Sequence, residues 1–187
     1  EVLKTATGRS ALGVILAVDM RDSSRRALRI GAEDTYITMH TFLPTMAHLI
    51  ERGGGKVVGL RGDGLFAAFG LTDITDANQP DEAEVTSKGA GEAVNCGKSM
   101  IEAVEEAINP VLVEDNIEGG ISIGVGCAVG NIVITRIGWE TASELTVYGD
   151  PVNQACKELS SRTNRNGVRV TKGLSDIFPT SKGGRIS

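Results

Sequence analysis

Residues 12–18, Leu12-Gly13-Val14-Ile15-Leu16-Ala17-Val18, are apolar without alternation and stop at Asp19. Such a run fits a strand covered on both faces, in the middle of a sheet. The mainly polar residues 1–10 read as a short lead-in, and the strand is expected to end near Met20. Asp22, Ser23 and Ser24 are helix N-cap types, so a helix is predicted just past Asp19. Gly31 interrupts it, and Asp34-Thr35 caps a second helix. There Tyr36, Met39, Leu43, Met46, Ala47 and Ile50 recur at helical spacing, with a kink expected at Pro44. Gly53-Gly54-Gly55 closes that helix. Val57 and Val58 lead into a hairpin whose turn is Gly62-Asp63-Gly64, and Leu65 to Phe69 lead out.

Residues 71–84 are acidic and read as a solvated loop. A helix is predicted over residues 85–108, with Ala93, Gly97, Met100, Ala103, Val104, Ala107 and Ile108 on one face. Asn109-Pro110 is expected to break it. Strands follow over residues 121–128 and 131–137, read as a hairpin about Gly130, and over 143–148. Asp150 and Pro151 then suit the start of a helix. Val152, Ala155, Cys156 and Leu159 form its buried stripe, while Asn153 and Lys157, four apart, share a neighbouring face. A last strand is expected over residues 167–171, ahead of a tail with Lys182 and Arg185.

Composition narrows the class. The chain has 187 residues, 41% hydrophobic and 23% charged, as in one globular domain with a full core. A net charge of −5 argues against a general nucleic-acid surface. A local site on an acidic protein can still be positive, so a small anionic substrate stays open. No apolar run is long enough to span a bilayer, and no signal peptide is read. Cys96, Cys127 and Cys156 are far apart and odd in number, without zinc spacing. A reducing cytoplasm is the expected setting. His40 and His48 have no ligand cluster around them and read as surface or core-edge residues.

The candidate chemistry begins with Asp19 and Asp63. Alone, Asp63 is an ordinary turn residue. Asp19, however, is delivered by a buried strand to the rim of the sheet, and if Asp63 meets it there the two repel. Two charges about 4 Å apart repel by roughly 4 kcal/mol at an effective dielectric of about 20. A hard divalent cation with oxygen ligands relieves that repulsion. Strand-end aspartates sharing Mg²⁺ point to phosphoryl or nucleotidyl transfer. Asn153 and Lys157 read singly as a polar helix face; beside such a site they suit a sugar and a phosphate.

Asp19 after the apolar strand, the Gly62-Asp63-Gly64 hairpin, the stretch Gly124 to Gly138 and the run from Thr146 to Ala155 together resemble the class III nucleotidyl cyclase catalytic domain. The resemblance runs from about Val14 to Val170. It implies an α+β fold: a ferredoxin-like βαββαβ core with a mixed, mainly antiparallel sheet flanked by helices. A single domain over residues 1–187, with its core over 12–171, is expected. It also implies a homodimer with active sites at the interface. Asp19 and Asp63, with the Met20 carbonyl, would bind two Mg²⁺ or Mn²⁺ from one subunit, and Asn153 and Lys157 would come from the other. One metal would activate the ribose 3′-hydroxyl for in-line attack on the α-phosphate, and the other would hold the triphosphate.

The chain departs from the family in three places. Asp22-Ser23-Ser24 replaces a Gly-Phe-Thr loop, so Ser23 and Ser24 stand where the phosphates are expected. Lys157 replaces an Arg and loses the two-pronged contact of a guanidinium. Gly59 replaces the base-reading Lys of purine cyclases. Gly59, Arg61 and Asp63 alternate to one side of a strand, so Arg61 is a candidate replacement donor, suited to the carbonyl oxygens of a pyrimidine, with an interface or salt-bridge role as the alternative. Thr146 occupies the other base-contact position. The pattern resembles the pyrimidine cyclases of the bacterial anti-phage Pycsar systems, which implies synthesis of cyclic UMP or cyclic CMP. Alternatives are an adenylate or guanylate cyclase with a variant pocket, a diguanylate cyclase, whose second turn acid is missing here, and an inactive nucleotide-binding regulatory module.

Overall fold

The computed structural model describes residues 7–73, 82–139, 142–160 and 167–177. Strand β1, Gly8–Met20, begins earlier than its polar first residues suggest, because it is paired along its whole length with β4, Ile123–Trp139. The hairpin β2, Lys56–Arg61, and β3, Gly64–Asp73, lies on its other side, with β3 antiparallel to β1. Strand β5, Ala142–Tyr148, extends β4, and β6, Val168–Val170, pairs with β4 in parallel. The order β2-β3-β1-β4-β5 puts the apolar run of β1 at the centre, buried on both faces. This is the expected α+β arrangement, helices against a mainly antiparallel sheet.

One face carries Val14, Leu16, Val18, Leu65, Ala67, Phe69, Val125 and Cys127. Helices α1, Ser23–Arg52, and α2, Glu82–Ala103, cover it, followed by a π-helical turn, Val104–Ile108, and α3, Asn109–Glu114. The short α5, Lys172–Ile177, adds Leu174 to the same core. The other face carries Ile15, Ala17, Phe66, Ala68, Ala128 and Ile132, and α4, Asp150–Ser160, packs there through Val152 and Ala155.

Several local expectations change. Helix α1 is broken at Gly31 (φ 84°, ψ −179°), as its glycine suggests, but stays helical through Pro44. Its buried line is Thr38, Phe42, Met46 and Ile50, so Tyr36 is exposed and stacks on His40 instead. Asn109-Pro110 does not break the second helical run. The Asn109 N–H donates five residues back to the Val104 carbonyl, and the widened turn carries the chain past a residue with no N–H of its own. Wider turns keep Met100, Val104, Ile108 and Leu112 buried at intervals of four, which leaves Ala107 exposed. Asn109 also anchors the start of the following strand, donating to the Ile121 carbonyl (3.1 Å) and accepting the Ile121 N–H (2.7 Å). Most of the acidic loop, residues 74–81, lies outside the described residues, as do residues 1–6 and 178–187.

The two strands read about Gly130 are one strand. Gly130 is not a turn; it lies in mid-strand because Pro151 of α4 sits on it, where a Cβ would come within 2.8 Å of the proline ring. Gly124 and Gly126 share its face. A Cβ on Gly126 would stand 2.2 Å from the Ala155 carbonyl, and one on Gly124 2.6 Å from that of Leu159. Three glycines thus form a track on which Pro151, Ala155 and Leu159 lie against bare backbone. Gly126→Ala is expected to destabilise the protein by about 1–3 kcal/mol through overpacking, read as a lower urea midpoint. Gly167→Ala, where a Cβ meets nothing within 4 Å, is expected to stay within about 0.5 kcal/mol of the parent.

Candidate active site

Asp19 pairs with Gly64 on one side and Gly124 on the other. Both neighbours lack side chains, and that leaves the carboxylate its room. A Cβ on Gly64 would stand 2.7 Å from Asp19 Oδ1. Asp63 is the second residue of the two-residue turn, after Gly62 with φ 57°, the glycine-first arrangement that tight hairpins favour. The Met20 N–H donates to the Asp63 carbonyl at 3.4 Å, which ties the turn to the end of β1.

The two carboxyl groups meet. Burial, then the charge of Asp63, raises the Asp19 pKa to about 6, against the pull of the Met20 N–H and Arg21. Among the described residues no three His, Cys, Asp or Glu side chains gather to hold a metal. The protein donors at this rim are therefore two carboxylates. Such a set suits a hard cation that keeps positions for phosphate oxygens and water. Repulsion between the acids is the fit to a divalent ion that the chain itself displays.

Helix α1 starts four residues on. Asp22 stands at its N-cap with φ 52° and makes no side-chain cap bond. Ser23 is half-buried and Ser24 exposed. Gly59 lies beside Phe66, and a Cβ there would be 3.8 Å from the Leu145 carbonyl, so the two ends of the sheet curl toward each other. Thr146 follows Leu145, half-buried, on the strand face opposite Leu145 and Val147. Arg61 is exposed, its guanidinium 5.8 Å from the centroid of the Phe66 ring.

Asp19, Met20 and Asp63 are brought together within the chain. Asn153 and Lys157 are exposed on α4, on the side away from the sheet, while Cys156 between them faces inward. Burial raises the Cys156 thiol most, with Arg61 lowering it and Asp19 raising it further. Phe66, Cys156 and Arg21 were not singled out from the sequence as site residues. Cys156 was legible only as part of an apolar stripe. Arg21 carried no signal beyond its place two residues after Asp19.

The raised Asp19 pKa has a definite consequence for stability. The folded carboxyl holds its proton more tightly than an unfolded one, so the metal-free native state loses stability as pH rises from 3.8 to about 6. Asp19→Asn removes that loss. Urea midpoints measured in chelator are expected to rise relative to the parent across this window and to hold a constant advantage above it. Mn²⁺ is expected to stabilise the parent and not the variant.

No family model matches the chain. It is 26% identical over 169 residues to a cytidylate cyclase of Escherichia coli, covering 88% of this chain and 35% of that protein. It is 25% identical over 166 residues to a uridylate cyclase of Rhodovulum sp., covering 86% of this chain and 63% of that protein. The chain thus spans about a third of one curated relative and under two thirds of the other. Its fold superposes on the crystal structure of the adenylyl cyclase CyaB from P. aeruginosa with a TM-score of 0.73 at 17% identity, over 91% of this chain and 82% of that one. The chain is therefore a domain of the class III nucleotidyl cyclase fold, similar in sequence to cyclases of pyrimidine nucleotides.

Proposed function

We propose that the chain is the catalytic domain of a nucleotidyl cyclase that converts UTP or CTP to the 3′,5′-cyclic monophosphate and pyrophosphate. The observation that carries this reading is the Asp19–Asp63 pair, two repelling carboxyls held at one end of the sheet. Similarity to a cytidylate and a uridylate cyclase supports the pyrimidine assignment. In this reading Asp19, Asp63 and the Met20 carbonyl hold two Mg²⁺ or Mn²⁺. When bound, such ions polarise the phosphoryl group and acidify the ribose 3′-hydroxyl.

The rest falls to the chain's own residues. The 3′-oxygen attacks the α-phosphorus in line, its proton passes to water, and the bond to the β-phosphate oxygen breaks. Asn153 orients the ribose, and the Lys157 ammonium offsets charge on the phosphate as a point cation. Both come from the second protomer of a homodimer. Ser23 and Ser24, at the opening turn of α1, face the distal phosphates. Gly59 leaves free the space that a lysine fills in purine cyclases. Arg61, braced on Phe66, donates to the base carbonyl, and Thr146 contributes its hydroxyl. The cyclic product serves as a second messenger in anti-phage defence. Among the described residues no helix is long and apolar enough to cross a membrane.

Incubation with ATP, GTP, CTP and UTP in turn, with Mn²⁺ and products identified by mass, tests the reading. Cyclic CMP or cyclic UMP is expected as the main product; cyclic AMP as the main product refutes the pyrimidine assignment. Asp63→Ala is expected to lower turnover on the order of 100-fold or more, equivalent to several kcal/mol of lost metal-assisted stabilisation. Arg61→Ala is expected to narrow the preference between pyrimidine and purine nucleotides while leaving some turnover.

A further inference from the structure

Arg21 stands one residue beyond the proposed metal ligands, and its hydrogen bonds run away from them. Its backbone N–H donates to the Ser122 carbonyl at 2.9 Å. Its Nε donates to the Ile123 carbonyl at 3.3 Å, and its Nη2 to the Leu159 carbonyl at 3.1 Å. The guanidinium lies over Gly124, where a Cβ would come within 3.1 Å of Nη2 and 3.3 Å of Cζ. One side chain therefore joins the end of β1, the start of β4 and the last turn of α4. The Leu159 carbonyl belongs to the helix end, where carbonyls lack intrahelical donors. A cation there also complements the helix dipole.

Helix α4 has two working sides. Its inner side, through Val152, Ala155 and Cys156, packs on the sheet of the same protomer. Its outer side exposes Asn153 and Lys157. The glycine track fixes how far the helix lies from β4 but supplies no polar tie along its length. Arg21 supplies a polar tie, and it does so from the turn that carries Asp19 and Met20.

We propose that Arg21 is a positioning residue that couples the two active sites of a dimer. It holds α4 against the Asp19–Met20 turn of its own protomer, so the state of that turn sets where Asn153 and Lys157 stand in the partner's site. The proposal rests on the composite-site homodimer proposed above, in which the aspartates and the Asn153–Lys157 pair of each site come from opposite protomers.

Mixed dimers test it. Asp63→Ala and Asn153→Ala protomers together form one complete site, with both aspartates from the Asn153→Ala protomer and Asn153 and Lys157 from the other. The assay uses Mn²⁺ and whichever of CTP, UTP, ATP or GTP the parent turns over. Arg21→Gln is placed only in the Asp63→Ala protomer, which gives no metal ligand to the complete site. There it is expected to lower kcat about tenfold while KM changes by less than about threefold. Arg21→Lys, which keeps one donor for one carbonyl, is expected to recover part of the loss.

A second measurement does not depend on turnover. In metal-free protein, Arg21→Gln is expected to speed amide hydrogen exchange in α4 while the β2–β3 hairpin is unchanged. Should Arg21→Gln fail to fold, Arg21→Lys carries both measurements with smaller effects in the same direction. An unchanged kcat in the mixed dimer, or unchanged exchange in α4, overturns the coupling role. Mixed dimers that form but recover no activity overturn the composite site, and the coupling with it.

Discussion

Strand register holds two acids together against their own repulsion. The ladder that pairs Asp19 with Gly64 is fixed by the central strand, hydrogen-bonded on both sides and buried on both faces. A one-residue slip would exchange Val14, Leu16 and Val18 with Ile15 and Ala17 between two separately packed cores and spoil the fit of both. The like-charge contact persists because it is overdetermined by the core. Burial first, and the charge of Asp63 second, raise the Asp19 pKa.

The absence of side chains is as important as their presence. Gly64 and Gly124 flank Asp19 and leave its carboxylate open. Gly124, Gly126 and Gly130 let a helix lie on bare strand backbone. One sequence feature, glycine at every second position but one along one face of β4, thereby clears space beside the acids and sets the depth of α4. The helix turns Cys156 inward and Asn153 and Lys157 outward.

Gly59 opens space beside Phe66 and the Leu145 carbonyl, and Arg61 lies across the same ring two residues on. An exposed guanidinium held by an aromatic face keeps a defined direction with little ordering cost. The curl that brings β2 near β5 places this corner close to the Leu145 carbonyl without any sequence neighbour linking them.

Local signals were enough for the unbroken apolar run of β1, the hairpin at Asp63, the break at Gly31 and the amphipathic start of α4. Each of these depends on residues within a turn or two of one another. They also marked Asp19 and Asp63 as acids at strand ends. What failed depended on distant partners. Gly130 looked like a turn because its contact is Pro151, and Pro110 looked like a stop because a π turn absorbs its missing donor. Tyr36 looked buried because the stripe of α1 is set by the sheet it meets. Arg21 looked like any polar residue, since the carbonyls it binds lie about a hundred residues or more along the chain. Propensity and periodicity are written in neighbouring residues; close approach, register and hydrogen-bond partners at long range are decided only when the chain has folded.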